Sequence, residues 1–258
     1  VEGGAAMSSR FDRHERIALS FSGGKDSLAC AYLLRDYADR ITCYHLDTGD
    51  LLPEVMDIVE HVRGLYPQFE TVQSDVQQWI ATHGLPTDLL PHSAHPVARE
   101  MGEERTALVP RYDCCHANLM LPLYERIKKD GNSLLIRGVK SVDMARQPYR
   151  SGDCPDGIEF WYPIEDWTHA DVMAYLRHVG APICRVYSFV ENSPECARCS
   201  AWWGERRADY LQRFHPELFE GYRARMRLVL RELHAPMHHL AREVENLGGL
   251  ASLLGEAA

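Results

Sequence analysis

Ile17-Ala18-Leu19-Ser20-Phe21-Ser22-Gly23-Gly24-Lys25-Asp26-Ser27 is the stretch that decides the fold. Its first five residues are a short apolar run, which reads as a buried strand of a parallel sheet. Leu28, Ala29, Ala31, Tyr32, Leu33 and Leu34 then recur at helical spacing. A glycine turn therefore joins a strand to a helix N-terminus. Two glycines let the backbone approach an anion closely, with Gly24 expected at positive φ. The first free N–H groups of the helix, with its dipole, then bind phosphate. Ser22 and Ser27 add hydroxyl donors and Lys25 adds charge. The pattern GxxxxGK[ST] does not occur, so this is not a Walker A loop. An ordinary Gly-Gly turn is the bland alternative; the strand before, the helix after and the Ser-Lys-Ser frame argue against it.

Working outward, strand and helix signals alternate. Strands are expected at 17–21, 41–46, 69–73 and 133–137, with helical patterns at 26–37, 53–65, 75–83 and 115–129. That order gives βαβ crossovers and a doubly wound, mostly parallel α/β sheet with helices on both faces. Ligands in such sheets bind outside the carboxyl ends of the strands. The glycine loop, Asp47 and Arg137 to Lys140 all follow strand ends, so they can converge on one nucleotide. Residues 84–113 read as an irregular connection with Pro86, Pro91, Pro96 and Pro110, a lid candidate leading to Cys114. Pro216 and Pro236 each stand where a helix could begin, so the C-terminal part is expected to be helical. The expected organisation is an α/β domain over 7–203 and a helical extension of the same unit over 204–258. Val1 to Ala6 reads as an appended stretch before a native Met7.

Cysteine usage adds a second signal. Cys114 and Cys115 are adjacent, and Cys196 and Cys199 form a CxxC. A tandem pair does not easily give two ligands to one small ion, but it can place thiolates on different irons of a larger cluster. Four thiolates is the complement of a [4Fe–4S] cluster. A structural zinc site and four inert buried thiols are the alternatives. Trp202 and Trp203 follow the CxxC and are expected to shield a cluster from water. Cys30 and Cys43 read as small core hydrophobes. Cys154 lies in a turn-rich loop, as either an exposed thiol near the substrate or an ordinary loop cysteine. His234, His238 and His239 lie close together, but Pro236 is expected to interrupt their helix, so they read as ordinary histidines.

Composition bounds the rest. The chain has 258 residues, 45% of them apolar and 25% charged, enough for one sizeable core. A formal charge of −9 argues against broad nucleic-acid binding, although local patches are compatible with it. Arg223, Arg225, Arg227 and Arg231 form a basic stretch that reads as a solvated helix face sooner than as an RNA or DNA contact. No apolar run approaches a membrane span. Eight cysteines with no signal-peptide pattern are expected in a reducing, cytoplasmic interior.

The loop Ser22 to Ser27 resembles the PP-loop of the adenine-nucleotide α-hydrolase superfamily. Within it the chain resembles the phosphoadenosine phosphosulfate (PAPS) and adenosine phosphosulfate (APS) reductase family, iron–sulfur branch. Leu46-Asp47-Thr48-Gly49 with Leu52-Pro53-Glu54 is similar to that family's LDTG…PE segment. Leu135 to Lys140 with Arg146 is similar to its GxR…R segment. Tyr162-Pro163-Ile164-Glu165-Asp166-Trp167-Thr168 with Asp171, Val172 and Tyr175 is similar to its DWTxxDVxxY segment. The resemblance implies nucleotide contacts from Ser20, Ser22, Gly23, Gly24, Lys25, Asp26, Ser27, Asp47, Thr48, Gly49, Arg137, Gly138, Lys140 and Arg146. It implies catalytic roles for Lys25, Asp26 and Asp47, and cluster ligation by Cys114, Cys115, Cys196 and Cys199.

Three departures bear on the reaction. The reductases use a cysteine near their C-terminus, and no cysteine follows Cys199 in this sequence. An Arg-Lys pair after the tandem cysteines is replaced by Asn118 and Leu119. The intact SGGKDS resembles loops that split ATP between the α and β phosphates. One reading is thus an ATP pyrophosphatase-type enzyme with Mg²⁺ near Asp26 or Asp47, its cluster carrying sulfur or holding the acceptor. A second is an APS or PAPS reductase in which Cys154 or a partner thiol replaces the nucleophile, fed by a thiol or electron-donor protein. A third is a non-catalytic nucleotide-binding cluster protein. Self-association is compatible with all three.

Overall fold

The computed structural model describes residues 4–102, 104, 106–192, 196–201, 203, 206–250 and 254; the side chains of 4–7, 99 and 144–146 are outside the description. Among the described residues there are seven strands: β1 Ile17–Phe21, β2 Ile41–Asp47, β3 Gln68–Gln73, β4 Leu85–Thr87, β5 Leu108–Pro110, β6 Leu134–Ile136 and β7 Glu159–Trp161. Five of them form one all-parallel sheet in the order β3-β2-β1-β6-β7, and β4 pairs with β5 in a second, two-stranded parallel sheet.

The chain divides into two compact units. One comprises 1–76, 116–197 and 205–210 and holds the large sheet; the other comprises 77–115, 198–204 and 211–258 and holds β4 and β5. The sequence reading had drawn one boundary between 203 and 204.

In the first unit, β1 lies at the centre because both of its faces are apolar. Ile17 pairs with Ile41 on one side and Leu134 on the other. One face gathers Ala18, Tyr44, Leu135 and Phe160 under Ile127, Val139, Ile158 and Tyr162. Their registers require this, since Ala18 pairs with Leu135, Leu135 with Phe160 and Ser20 with Tyr44. Helix Lys25–Leu33 packs against helix His169–His178 in the same unit. The latter begins with a capping box: Thr168 Oγ1 accepts from Asp171 N–H at 3.2 Å, and Asp171 accepts from Thr168 N–H at 2.9 Å. The Thr-x-x-Asp spacing in the DWTxxD segment thus acts as a helix cap.

The chain runs outward from β1 to β2 and β3, then returns to build β6 and β7 on the other side. The direction reverses between β1 and β6, so their carboxyl ends flank the crevice where this architecture binds ligands.

Several expectations need correction. Residues 84–113 contain β4, β5 and the short helix Pro96–Glu100, so they are not simply irregular. Strand β7 completes the sheet and was not foreseen. The segment 115–129 is not one α-helix; π-helix His116–Met120 separates Arg111–Cys115 from Leu121–Lys129. Pro236 does not start or break a helix. Helix Pro216–Asn246 runs through it for 31 residues, held at that level by the second unit's core. There Val229 and Leu233 pack with Leu85 and Leu108, and Glu232 accepts from Thr106 Oγ1 at 3.0 Å.

Candidate functional site: a glycine loop at the sheet's switch point

The loop after β1 turns at Gly23, whose φ is +79°; Gly24 sits at φ −77°. The expectation of positive φ therefore applies to Gly23, one residue earlier than anticipated. A Cβ on Gly23 would also come within 2.6 Å of Val55 Cγ1. The loop is braced internally. Gly24 N–H donates to Ser22 Oγ at 3.3 Å, and Ser27 Oγ donates to the Gly24 carbonyl at 3.0 Å. Ser22 N–H donates to Ser27 Oγ at 3.3 Å. Ser20, still within β1, is half-buried just ahead of this turn.

Charge is concentrated beside it. Lys25 Nζ donates to Asp26 Oδ2 at 2.8 Å, and Lys140 Nζ, from the segment after β6, lies 2.9 Å from the same oxygen. Lys140 is also 3.1 Å from Asp143. The two lysines are only 2% and 3% exposed. Burial pulls the Lys140 ammonium down, but Asp26 and Asp143 outweigh it and hold its pKa above the ordinary lysine value. Asp26 is thus clamped between two ammonium groups at the helix N-terminus.

Gly138 explains how the β6 segment reaches this point. A Cβ there would lie 2.6 Å from the Asp26 carbonyl carbon and 2.7 Å from both Asp26 O and Ser27 N. These are backbone atoms that cannot rotate away, so only glycine allows the approach. Arg137 is fixed nearby, donating through N–H to the Trp161 carbonyl at 3.1 Å and through Nη1 to Gln147 at 2.8 Å. The backbone of Arg146 lies in the 3₁₀ turn Ser141–Arg146; its side chain is outside the described residues.

The third strand end belongs to β2. His45 is fully buried, and its Nδ1–H donates to the Phe21 carbonyl at 3.0 Å, tying the ends of β1 and β2 together. Burial, partly opposed by that hydrogen bond, pushes its pKa down and keeps the ring neutral. Asp47 Oδ1 accepts from Gly49 N–H at 2.8 Å, with Gly49 at φ +71°. Thr48 is buried; its hydroxyl accepts from Asp50 N–H at 3.3 Å and stands 3.6 Å from Cys196 Sγ. Ala197 N–H donates to the Asp50 carbonyl at 2.6 Å. The first cysteine of the CxxC therefore sits on the loop that follows β2.

Sequence reasoning missed Tyr187. Its hydroxyl accepts from Lys25 N–H at 3.0 Å, and its ring centroid is 5.6 Å from Lys25 Nζ. It covers one of the amides that an anion would use. No spacing rule links residues 162 positions apart.

The cysteines separate by environment. Cys30 and Cys43 are buried, and burial pushes both thiols well up, as expected of core residues. Cys184 is buried and pushed up to about 11 by burial. Cys154 is exposed. Of the four cysteines singled out above, Cys114 is buried, and Cys115, Cys196 and Cys199 are half-buried. Their donor chemistry suits an iron–sulfur cluster, and π-turns such as the one after Cys115 often occur at functional sites. Among the described residues, however, no three His, Cys, Asp or Glu side chains are gathered closely enough to hold a metal ion. That applies to His234, His238 and His239 too. Trp203 packs into the second unit's core and donates its indole N–H to the Ser200 carbonyl at 2.6 Å; Trp202 lies outside the described residues. Arg223 and Arg231 pair with Glu220 and Glu232 of their own helix, and Arg225 donates to the Arg198 carbonyl and Gln77. No described helix is long and apolar enough to cross a membrane.

The chain resembles several known proteins. The chain is 26% identical over 213 residues to an adenosine 5′-phosphosulfate reductase of Burkholderia cepacia, covering 76% of this chain and 79% of that protein. It is 24% identical to the enzyme of the same name from Allochromatium vinosum, covering 74% and 75%. A solved phosphoadenylyl-sulfate reductase from Candida auris, a phosphate complex, is 15% identical with a TM-score of 0.47, covering 67% of this chain and 77% of that one. The phosphoadenosine phosphosulfate reductase domain matches residues 16–201, and with β1, β2, β6, β7 and the glycine loop all inside that span, the chain belongs to this family.

Proposed function

We propose that the chain is an enzyme that binds an adenine nucleotide with its 5′-phosphate on the loop Ser22–Ser27. The observation that carries this is the convergence of Lys25 and Lys140 on Asp26, at a helix N-terminus on the sheet's switch point. An arriving phosphate competes with Asp26 for both ammonium groups and for the loop amides. Ser22, Ser27, Arg137 and Thr48 supply further donors from the same strand ends.

Two reactions use such a site differently. In the first reading, ATP binds and an acceptor attacks the α-phosphorus. The bond to the bridging oxygen breaks, and pyrophosphate leaves. The loop then stabilises charge developing on the α-phosphate. The intact SGGKDS supports it. Mg²⁺ in this reading fits Asp47 better than Asp26. Two ammonium groups already crowd Asp26, so a dication there would meet like charge.

In the second reading the ligand is APS or PAPS, as the names of the relatives favour. A thiolate attacks sulfur, the S–O bond to phosphate breaks, and the nucleotide monophosphate stays on the loop as leaving group. The thiolate comes from Cys154 or a partner.

Cys114, Cys115, Cys196 and Cys199 are assigned to a [4Fe–4S] cluster. When bound, such a cluster would supply electron-transfer or sulfur-handling chemistry.

The test uses anaerobically prepared protein, assayed for iron and incubated separately with ATP plus Mg²⁺, APS and PAPS. About four irons per chain are expected, with AMP and pyrophosphate from ATP once the acceptor is supplied. Sulfite from APS or PAPS selects the second reading. Tight nucleotide binding without either product selects a nucleotide-binding cluster protein. Failure to bind any of the three nucleotides contradicts the site assignment.

A further inference from the structure

Two helices begin beside the glycine loop. Helix Lys25–Leu33 opens directly on it, and helix His169–His178 packs against that helix within the same unit. His169, the first residue of the second helix, stands within electrostatic reach of Lys25 and Asp26, the first two residues of the other, and of Lys140 after β6. From the remaining side, Glu191 Oε1 lies 3.9 Å from its Nδ1. The imidazole thus sits at the rim of the charge cluster that the loop gathers. Helix capping does not account for it, since Thr168 and Asp171 cap the helix without the ring.

The fold itself does not satisfy this ring. Nδ1 is buried and has no hydrogen-bond partner among the described residues. The side chain is 30% exposed, so what opens to solvent is the opposite edge, which carries Nε2. An unmet buried nitrogen costs stability, and such groups call for an explanation. Burial, then the Lys25 ammonium, push the imidazole pKa below the ordinary histidine value; Lys140 adds to them, and Glu191 and Asp26 oppose them without prevailing. The ring is therefore mostly neutral near neutrality. An anion on the loop reverses this balance. Its charge would offset the ammonium groups that hold the ring neutral. An imidazolium would then gain both attraction to the anion and a charge-assisted hydrogen bond through Nε2–H.

We propose that His169 is a further nucleotide-binding residue, which takes up a proton from solvent as the nucleotide arrives and donates from Nε2 to an oxygen of its anionic chain, with the Glu191 carboxylate backing the charged ring. This role rests on the nucleotide reading.

Calorimetric titration of the anaerobic full chain, without added thiol, in buffers of different ionisation enthalpy counts the protons taken up. The probes are APS and the non-hydrolysable α,β-methylene analogue of ATP with Mg²⁺. Parent and His169→Gln are compared, so that ionisation of the probe itself cancels. At about pH 7 the parent is expected to take up more protons than the variant, by up to about one per nucleotide. The bound state holds the extra proton, so affinity rises as pH falls through the bound pKa and levels off below that of the ligand-free ring. The parent should therefore bind about tenfold more tightly than His169→Gln at about pH 6, the size of one charge-assisted hydrogen bond. The two should converge as pH rises to about 8.5. Glu191→Gln is expected to lower proton uptake while binding persists. Circular dichroism and the unfolding midpoint should match the parent in both variants, because the cap is intact. Equal proton uptake by parent and His169→Gln, or an affinity ratio that does not change with pH, overturns the proposal and leaves His169 a structural residue. Unchanged uptake in Glu191→Gln refutes the backing role. A parent that binds neither probe defeats the nucleotide reading and this role together, whereas binding with no proton linked to His169 defeats this role alone.

Discussion

Gly138→Ala is the sharpest perturbation of the site. The added Cβ would stand 2.6 Å from the Asp26 carbonyl carbon and 2.7 Å from Asp26 O and Ser27 N. Ordinary contact needs about 3.5 Å, so the two segments must part by nearly an ångström. No side chain can yield, because all three atoms are backbone. Overpacking of this kind costs about 1–3 kcal/mol, and the upper half of that range fits a backbone clash. The displacement also draws Lys140 away from Asp26, now 2.9 Å apart. Adenine-nucleotide affinity is therefore expected to fall about 10- to 100-fold, since 1.4 kcal/mol is one decade. Gly152→Ala is the control: its φ is +94°, but nothing stands within 4 Å, so it bears only backbone strain, away from the loop. Urea unfolding and calorimetric titration with ATP and APS would measure both variants. Parent-like affinity and stability in Gly138→Ala would refute the argument that this approach builds the site.

Tyr187→Phe removes the phenol that accepts from Lys25 N–H, freeing an amide for phosphate. Nucleotide should bind a few-fold more tightly, in keeping with about 0.5–1.5 kcal/mol for one net hydrogen bond; weaker binding by calorimetry would mean that the phenol helps hold the ligand. Asp130 accepts from Arg126 Nε at 2.7 Å and Tyr44 Oη at 2.9 Å. Burial pushes its pKa up, but Arg126 and Tyr44 outweigh burial and hold it below the ordinary carboxylate value. A depressed carboxylate stabilises the fold above its unfolded pKa and loses that contribution as pH falls through the folded one. Asp130→Asn should thus cost about 1 kcal/mol near neutrality, allowing for its partial exposure. The difference from the parent should close in acid; one that persists unchanged at low pH would contradict this origin.

The parts legible in the sequence were those whose cause is local. The apolar run 17–21 and the glycines after it specify strand, turn and helix within a dozen residues, and β2 and β3 show the same strand signal. Strands β4, β5 and β7 have three residues each, too short for any periodicity to register. They form because other segments supply their hydrogen-bond partners. Pro236 was misread because its local rule ignores the packing of Val229 and Leu233, which carries the helix through. The positive φ was placed one glycine late, since Gly23 and Gly24 are indistinguishable in sequence; the crowding of Gly23 by Val55 distinguishes them in the fold. Lys25, Asp26 and Lys140 were named as site residues, but their convergence depends on Gly138, whose partner atoms lie over a hundred residues earlier. Tyr187 gave no signal for the same reason.

The central claim is that the loop Ser22–Ser27 receives an adenine nucleotide's 5′-phosphate. Calorimetric titration of anaerobic parent, Gly24→Val and Lys25→Ala proteins with ATP, APS and PAPS tests it most directly. A Cβ at Gly24 would already lie 3.3 Å from Ser22 Oγ and Tyr187 Oη, and valine's branches would fill the space over the loop amides. The account predicts that the parent binds at least one of the three, that Gly24→Val binds none, and that Lys25→Ala binds more weakly than the parent but measurably. Parent-like binding by both variants would contradict it and leave the loop as a turn.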